Sequence, residues 1–249
     1  FDTKDLRSRS ELLMRSAIVG LVFACLLLSF SRGGFLVFLS QLSLWGLIIY
    51  KKTRPQFPVR SIIPVSVVVV TVAIGCFLSI NAVRSNLYEV QEVGEKVTLS
   101  AAEGSSSVSE RFGFWSQALN LATQKPLFGW GPYSFRFVQP QLQRQVLATS
   151  DHPHNVILKI LMERGILATV LFVILVGLVM YRATVQLLSD RIEVGSLKFS
   201  LRTLMYIGLV GVIVHNMIDF NLQFVGITLP FWLLLGILMT YLDIDSLRN

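Results

Sequence analysis

The run Asp151-His152-Pro153-His154-Asn155 closes a polar segment, from about Asn81 to Pro153, that interrupts an otherwise apolar chain. His154 follows a proline and precedes a long apolar run, which places it at the membrane boundary near the start of a helix. An imidazole there is suited to take a proton from a hydroxyl near neutral pH. Asn155 fits the cap of the following helix and Asp151 fits a group that orients an imidazole. His152 competes with His154 for the base role, with Pro153 setting the two rings in different directions. On these residues alone, a catalytic base and an interfacial histidine without chemistry carry equal weight.

Six other residues are charged or titratable and could carry chemistry. Arg32, in Ser31-Arg32-Gly33-Gly34, sits between two apolar runs and is either a topology-marking charge or a clamp for phosphate, which its fixed fork of donors would suit. His215 and Asp219 are four residues apart near the outer end of an apolar run, so they either pair structurally or face a wet cavity. Lys159 and Glu163 have the same spacing and can neutralise each other. Arg111 follows Glu110 in a polar stretch and reads as a solvated helix charge or as a cation aimed into a cavity.

The elements that must position these groups are membrane helices. Hydrophobic residues make up 53% of the 249 and charged residues 15%, too apolar for a soluble domain. Six apolar runs read as spans: about 12–30, 35–50, 61–80, 155–181, 203–220 and 224–241. The Val-rich 65–70 stretch reads as helix because an open strand cannot satisfy its backbone in lipid. Loops on the side of the termini hold about twice the Lys and Arg of the opposite side, so the termini read as cytoplasmic and the polar segment as facing outward. The division is 1–80 with three spans, 81–153 as an outer loop, and 154–249 with three spans. The net charge of +7 follows this topology and not an aromatic-interleaved patch, so nucleic acid is not an expected partner. Cys25 and Cys76 lie in apolar runs, and with three histidines neither a disulfide framework nor a metal site is expected. Phe1 in place of Met and the lack of a signal sequence read as part of a longer polypeptide.

Within the loop, 87–107 reads as solvated coil and Ser107-x-x-Glu110 as a capping box opening a helix. Val108, Phe112, Trp115, Leu119 and Ala122 fall on one face of that helix, an apolar stripe for the membrane interface or the bundle mouth. Lys125-Pro126-Leu127-Phe128-Gly129-Trp130-Gly131-Pro132 ends it, and a Gln-rich run at 139–145 reads as a further short helix.

Ser31-Arg32-Gly33-Gly34, Arg111 with Trp115 before Pro126-Leu127-Phe128-Gly129-Trp130-Gly131, and His154-Asn155 followed by Glu163-Arg164-Gly165 together resemble the O-antigen ligase and polymerase superfamily. The resemblance covers about 12–241 and implies the C-terminal half of a GT-C-type membrane glycosyltransferase. It further implies a bacterial inner-membrane protein, acting at the periplasmic face in lipopolysaccharide or other polysaccharide biosynthesis without metal or cofactor. Its donor would be an undecaprenyl-diphosphate-linked glycan and its acceptor a glycan, lipid A core or protein. Carried over by residue, Arg32 and Arg111 would hold the donor diphosphate and His154 would be the base, with Asn155, His215 and Asp219 as further substrate-site residues. Ala168 stands where the ligase pattern often has Gly, Thr or Tyr, which leaves a repeat-unit polymerase as the alternative. From other classes, a polar-solute transporter would use His215, Asp219 and Glu163, and a non-catalytic envelope partner would use none.

Overall fold

The computed structural model describes residues 3–29, 31–53, 59–87, 104–142, 150–189, 194 and 196–247. Most of the stretch read as solvated coil, and the end of the Gln-rich run, lie outside the described residues, as does the side chain of Arg32. Every regular element described is helical. In order these are α1 (Thr3–Leu28), α2 (Arg32–Thr53), α3 (Val59–Leu87), α4 (Gly104–Gln124), the single turn α5 (Phe135–Val138) with a 3-10 turn at Gln139–Leu142, α6 (Val156–Leu188), α7 (Leu197–His215), a 3-10 turn at Asn221–Gln223, and α8 (Val225–Leu247).

Four stretches are long and apolar enough to cross a membrane: Ser10–Leu28, Gly33–Lys52, Val156–Leu188 and Leu197–His215. Helices α3 and α8 hold shorter apolar stretches, Val65–Ile80 and Val225–Thr240. The protein is a multi-pass membrane protein, all-helical among the described residues. Each apolar run of the sequence lies in a helix, but the fifth stops at His215 and not at Phe220. There the Asn216 side chain donates to the Val212 carbonyl at 2.8 Å and the chain turns away.

The chain forms two compact units, Phe1–Phe35 with Arg54–Ser100, and Leu36–Thr53 with Ala101–Asn249. In the first, α1 packs along α3, with Gly20 so close that a Cβ there would meet the Val72 Cβ at 2.8 Å. Ser31 caps α2, its hydroxyl accepting from the Gly34 N–H at 3.0 Å.

In the second unit, Ile48 and Ile49 of α2 join Val176, Ala183 and Leu187 of α6, Phe199 and Leu209 of α7, and Phe231 and Leu235 of α8 in one buried cluster. Lipid is as apolar as leucine, so close approach and hydrogen bonds hold such helices together. Gln41 donates to the Ile207 carbonyl at 3.1 Å through the space left by Gly211.

Helix α4 forms, but it does not start where expected, and of the expected stripe only its end, Ala122, joins the buried face. It begins at Gly104, so Ser107 lies inside it and is not its cap. Phe112 and Leu119 of the expected stripe are exposed, while Phe114, Ala118, Leu121 and Ala122 pack with Phe135 and Met162. The helix carries two apolar stripes, and the one bearing two alanines allows the closer approach to α6.

Helix α6 is broken at Gly165, whose φ of 81° and ψ of −179° lie in a region open essentially only to glycine. The Ile166 N–H leaves the helix ladder and donates to the Pro126 carbonyl at 2.8 Å. The freed carbonyls of Met162 and Glu163 accept from the N–H groups of Trp130 and Gly131, each at 2.9 Å. Three backbone groups released by the break thus find partners in the 126–131 turn, as burial favours. Gly129 (φ 67°) completes the fit, since a Cβ there would lie 2.4 Å from the Glu163 carbonyl carbon. The Trp130 indole donates to the Leu121 carbonyl at 2.8 Å, tying the turn back to α4.

A Cβ at Gly165 would stand 2.0 Å from the Leu127 carbonyl oxygen, in addition to the backbone strain. Gly165→Ala is therefore expected to cost more than about 3 kcal/mol, read as a fall in melting temperature or loss of folded protein in detergent. Gly177→Ala, in the same helix with open space around it, serves as the control and is expected to be neutral or mildly stabilising. Equal behaviour of the two variants would contradict the clasp.

Candidate active site

His154 is held in the left-handed region, with φ of 52°, a conformation rare for any residue with a side chain. Its ring stacks on Phe114 of α4 at 6.0 Å between centroids and meets Phe220 edge-on at 4.6 Å. The Nδ1 atom lies 3.3 Å from Asp219 Oδ1, and Nε2 lies 3.2 Å from Ser150 Oγ. Three segments converge on this imidazole: the loop before α6, the turn after α7, and α4.

The proton positions follow from what each partner can do. Burial alone would raise the Asp219 carboxyl, but hydrogen bonds from His154 and from the Phe220 N–H outweigh it, helped by the charges of His154 and His215. Its pKa is lowered and it is an acceptor only. Nδ1 of a neutral His154 therefore carries the proton, and Nε2 holds a lone pair. The Ser150 hydroxyl has one proton, and the His152 carbonyl is nearer to it, at 2.7 Å. Nε2 is thus left as an available acceptor.

The strain at His154 is sustained by a polar knot on either side. Asn155 caps α6, its Oδ1 accepting from the Leu158 N–H at 3.1 Å while Nδ2 donates to the Met217 carbonyl at 2.9 Å. The Val156 N–H donates to the Asn216 carbonyl at 2.8 Å. Asn216, fully buried, donates to Val212 and accepts from the Leu222 N–H at 2.8 Å. The α6 start and the α7 turn are so joined that His154 and Asp219 meet.

His152 is buried and accepts from Lys159 Nζ at 2.7 Å. Burial, reinforced by the Lys159 charge, lowers its pKa to about 4. Lys159 also pairs with the buried Glu163 at 3.1 Å, so the i, i+4 pair does neutralise itself. A groove of about 500 Å³ opens beside this cluster, with Tyr133, Lys159, Glu163 and Phe220 in its lining.

The sequence-derived candidates fall into three groups. His154 and Asp219 are brought together, with His215 Nε2 at 3.8 Å on the other carboxylate oxygen. His215 Nδ1 accepts from Asn221 Nδ2 at 3.0 Å, and the pair spans a helix end and a turn rather than one helix face. Asn155 is committed to its cap and to Met217. Arg111, half-buried on α4, lies one turn before Phe114, the residue stacked on His154, and Arg32 is the first residue of α2. Asp151 does not orient the imidazole: it faces Arg136 at 3.8 Å, on the exposed side of the loop. Sequence reasoning passed over Asn216, Ser150, Phe114 and Phe220. Asn216 had one signal, a polar amide between His215 and Asp219 at the end of an apolar run.

A helical bundle with apolar spans and an Asp-oriented histidine, packed on a phenylalanine that lines a groove, defines the class. Residues 17–173 match the family described as O-antigen ligase, more than half of the chain, and the chain belongs to that family. Its activity is accordingly of the glycosyltransferase type, in O-antigen assembly. Comparisons with curated proteins and with solved structures found no match.

His152 also gives the fold a pH dependence. Above pH ~6.5 it is neutral in both folded and unfolded chains and contributes no slope. Between there and about 4 the unfolded chain takes up a proton that the folded one refuses, so stability falls as pH drops, by up to roughly 3 kcal/mol. Melting temperature is expected to fall more steeply from pH 7 to 4.5 in the unaltered protein than in His152→Gln, whose amide oxygen can still accept from Lys159. Parallel curves would contradict the assignment.

Proposed function

We propose that this protein transfers a glycan from an undecaprenyl-diphosphate donor to an acceptor hydroxyl at the periplasmic face, as an O-antigen ligase. The acceptor oxygen attacks the anomeric carbon as its proton passes to His154 Nε2. The bond from that carbon to the diphosphate oxygen breaks, and the diphosphate departs with the electron pair. A single displacement of this kind inverts the anomeric centre. Asp219 holds the Nδ1–H tautomer and stabilises the imidazolium that forms, as a buried carboxylate does for a catalytic histidine. Arg111 and Arg32 hold the diphosphate and its developing charge. His215 shares the Asp219 carboxylate at the edge of the substrate site, and no metal takes part.

The observation that carries this reading is the His154–Asp219 contact, with a lone pair left available on Nε2. In the accompanying topology, α1, α2, α3, α6, α7 and α8 are the six spans, with the termini cytoplasmic and residues 81–153 in the periplasm. The exposed stripe with Phe112 and Leu119 then lies against the membrane interface.

The test is transfer in a purified system containing the intact protein, a defined lipid-linked donor and a candidate acceptor. His154→Ala is expected to lower kcat by roughly 10²–10⁴-fold with donor affinity retained. Arg111→Ala and Arg32→Ala are expected to weaken donor binding and turnover by at least about tenfold. The product is one glycan block per acceptor, whereas a polymerase would give a ladder. Near-normal turnover by His154→Ala would overturn the reading.

A further inference from the structure

The turn that clasps α6 carries three consecutive exposed apolar residues, Pro126, Leu127 and Phe128, in the polar stretch between the spans. Phe128 is 84% exposed and Leu127 62%, although the clasp itself is made by main-chain groups and neither side chain belongs to the site. A run of exposed apolar side chains marks a contact surface. We infer that Leu127 and Phe128 are inserted among the acyl chains of the leaflet on the active-site side, so that the loop stands on the bilayer by a lipid-anchored foot.

Main-chain contacts fix the depth of this turn. The Ile166 N–H donates to the Pro126 carbonyl at 2.8 Å, and a Cβ on Gly165 would lie 2.7 Å from the Phe128 nitrogen. Phe128 therefore stands level with the break in α6. From the break, the uncharged length Ile166 to Tyr181 rises ~24 Å at ~1.5 Å per residue before Arg182 brings a charge. The hydrocarbon core is ~30 Å thick, so a layer that begins near Arg182 reaches past Gly165 and takes in the turn.

The exposed apolar surface continues across the break. Beyond Gly165, Ile166, Leu167, Val170 and Leu171 are exposed, as the lipid-facing side of a span is. From Val156 to Glu163, before it, α6 has no exposed residue. Where the helix loses its exposed apolar residues the 126–131 turn lies against it, and Leu127 and Phe128 supply the apolar surface in their place.

The flanking charges select lipid as the occupant. Lys125 and Arg164, both exposed, stand on either side of the pair, with Lys125 Nζ 4.0 Å over the Trp130 ring. Aromatic rings with long cations that reach up to the headgroups are the pattern of a membrane boundary. A second copy of the chain pairing symmetrically here would bring these cations against their own counterparts, whereas lipid phosphates oppose them with negative charge.

The experiment places a nitroxide at position 128 of the intact protein in nanodiscs, by Phe128→Cys in a Cys25→Ser, Cys76→Ser background. Its collisions with oxygen, which concentrates in lipid, are compared with those with a water-soluble nickel chelate. Leu167→Cys on the span and Asp151→Cys on the exposed side of the loop give the lipid and water references. Position 128 is expected to match 167, with oxygen favoured, and to invert the ratio found at 151. Lipids with shorter chains should lower the oxygen preference at 128 and leave 151 unchanged. The inference is overturned if 128 reads as 151 does, or if it is shielded from both reagents. Shielding with spin–spin broadening would assign the surface to a second copy, and shielding without it to another protein. Phe128→Trp, which carries no label, gives a second reading. The fluorescence it adds to that of the four native tryptophans should be quenched by lipids brominated in the acyl chain and not by aqueous iodide. The reverse pattern would equally overturn the inference.

Discussion

The missing side chain of Gly165 is the constraint on which the rest of the second unit depends. A long apolar helix in lipid has no reason to stop, because each backbone group is satisfied within it. At Gly165 the ladder is interrupted, and the 126–131 turn supplies two donors and one acceptor to the groups released. The break divides α6 into an apolar length, Ile166 to Leu188, which at ~1.5 Å per residue spans ~35 Å, and a preceding stretch free to carry Lys159, Glu163 and Arg164. The same clasp draws α4 onto α6, which places Phe114 against His154.

Above the break the site is assembled by hydrogen bonding more than by burial. Asn155 and Asn216 hold the start of α6 to the turn after α7, so His154 is kept in a left-handed conformation that costs on the order of 1–3 kcal/mol. Asp219 lies between two imidazoles and remains ionised despite its burial, because it accepts hydrogen bonds from His154 and from its neighbour's N–H. His152, two residues from His154, has the opposite fate: burial beside Lys159 keeps it neutral and in a supporting role. One loop thereby gives its two histidines different chemistry.

Much of this was legible in the residues. Length and polarity located the apolar helices, because lipid leaves helix as the natural outcome for runs such as 65–80. His154, Asn155 and Glu163, singled out from the sequence, each make side-chain polar contacts in the fold. The rest was not legible, for physical reasons. Asp151 is nearer to His154 in sequence than Asp219, but sequence distance carries no information once a loop folds back, and Asp151 faces Arg136 instead. Helix α4 has two apolar stripes, and periodicity alone does not reveal which one α6 will cover. Asn216 was marked only by being a polar amide at the end of an apolar run, and its role, joining two backbones that meet only in the fold, cannot be read from that. The Pro126-to-Gly131 turn and Gly165 were noted as separate motifs; their union depends on an approach across some forty residues, which no local rule supplies.

The central claim is that His154 takes the acceptor proton, and the pH dependence of single-turnover transfer tests it most directly. The account predicts a rate that falls as pH is lowered through one protonation in the unaltered protein, and a residual rate in His154→Ala that lacks this acid limb. Persistence of the same acid limb in His154→Ala would contradict it.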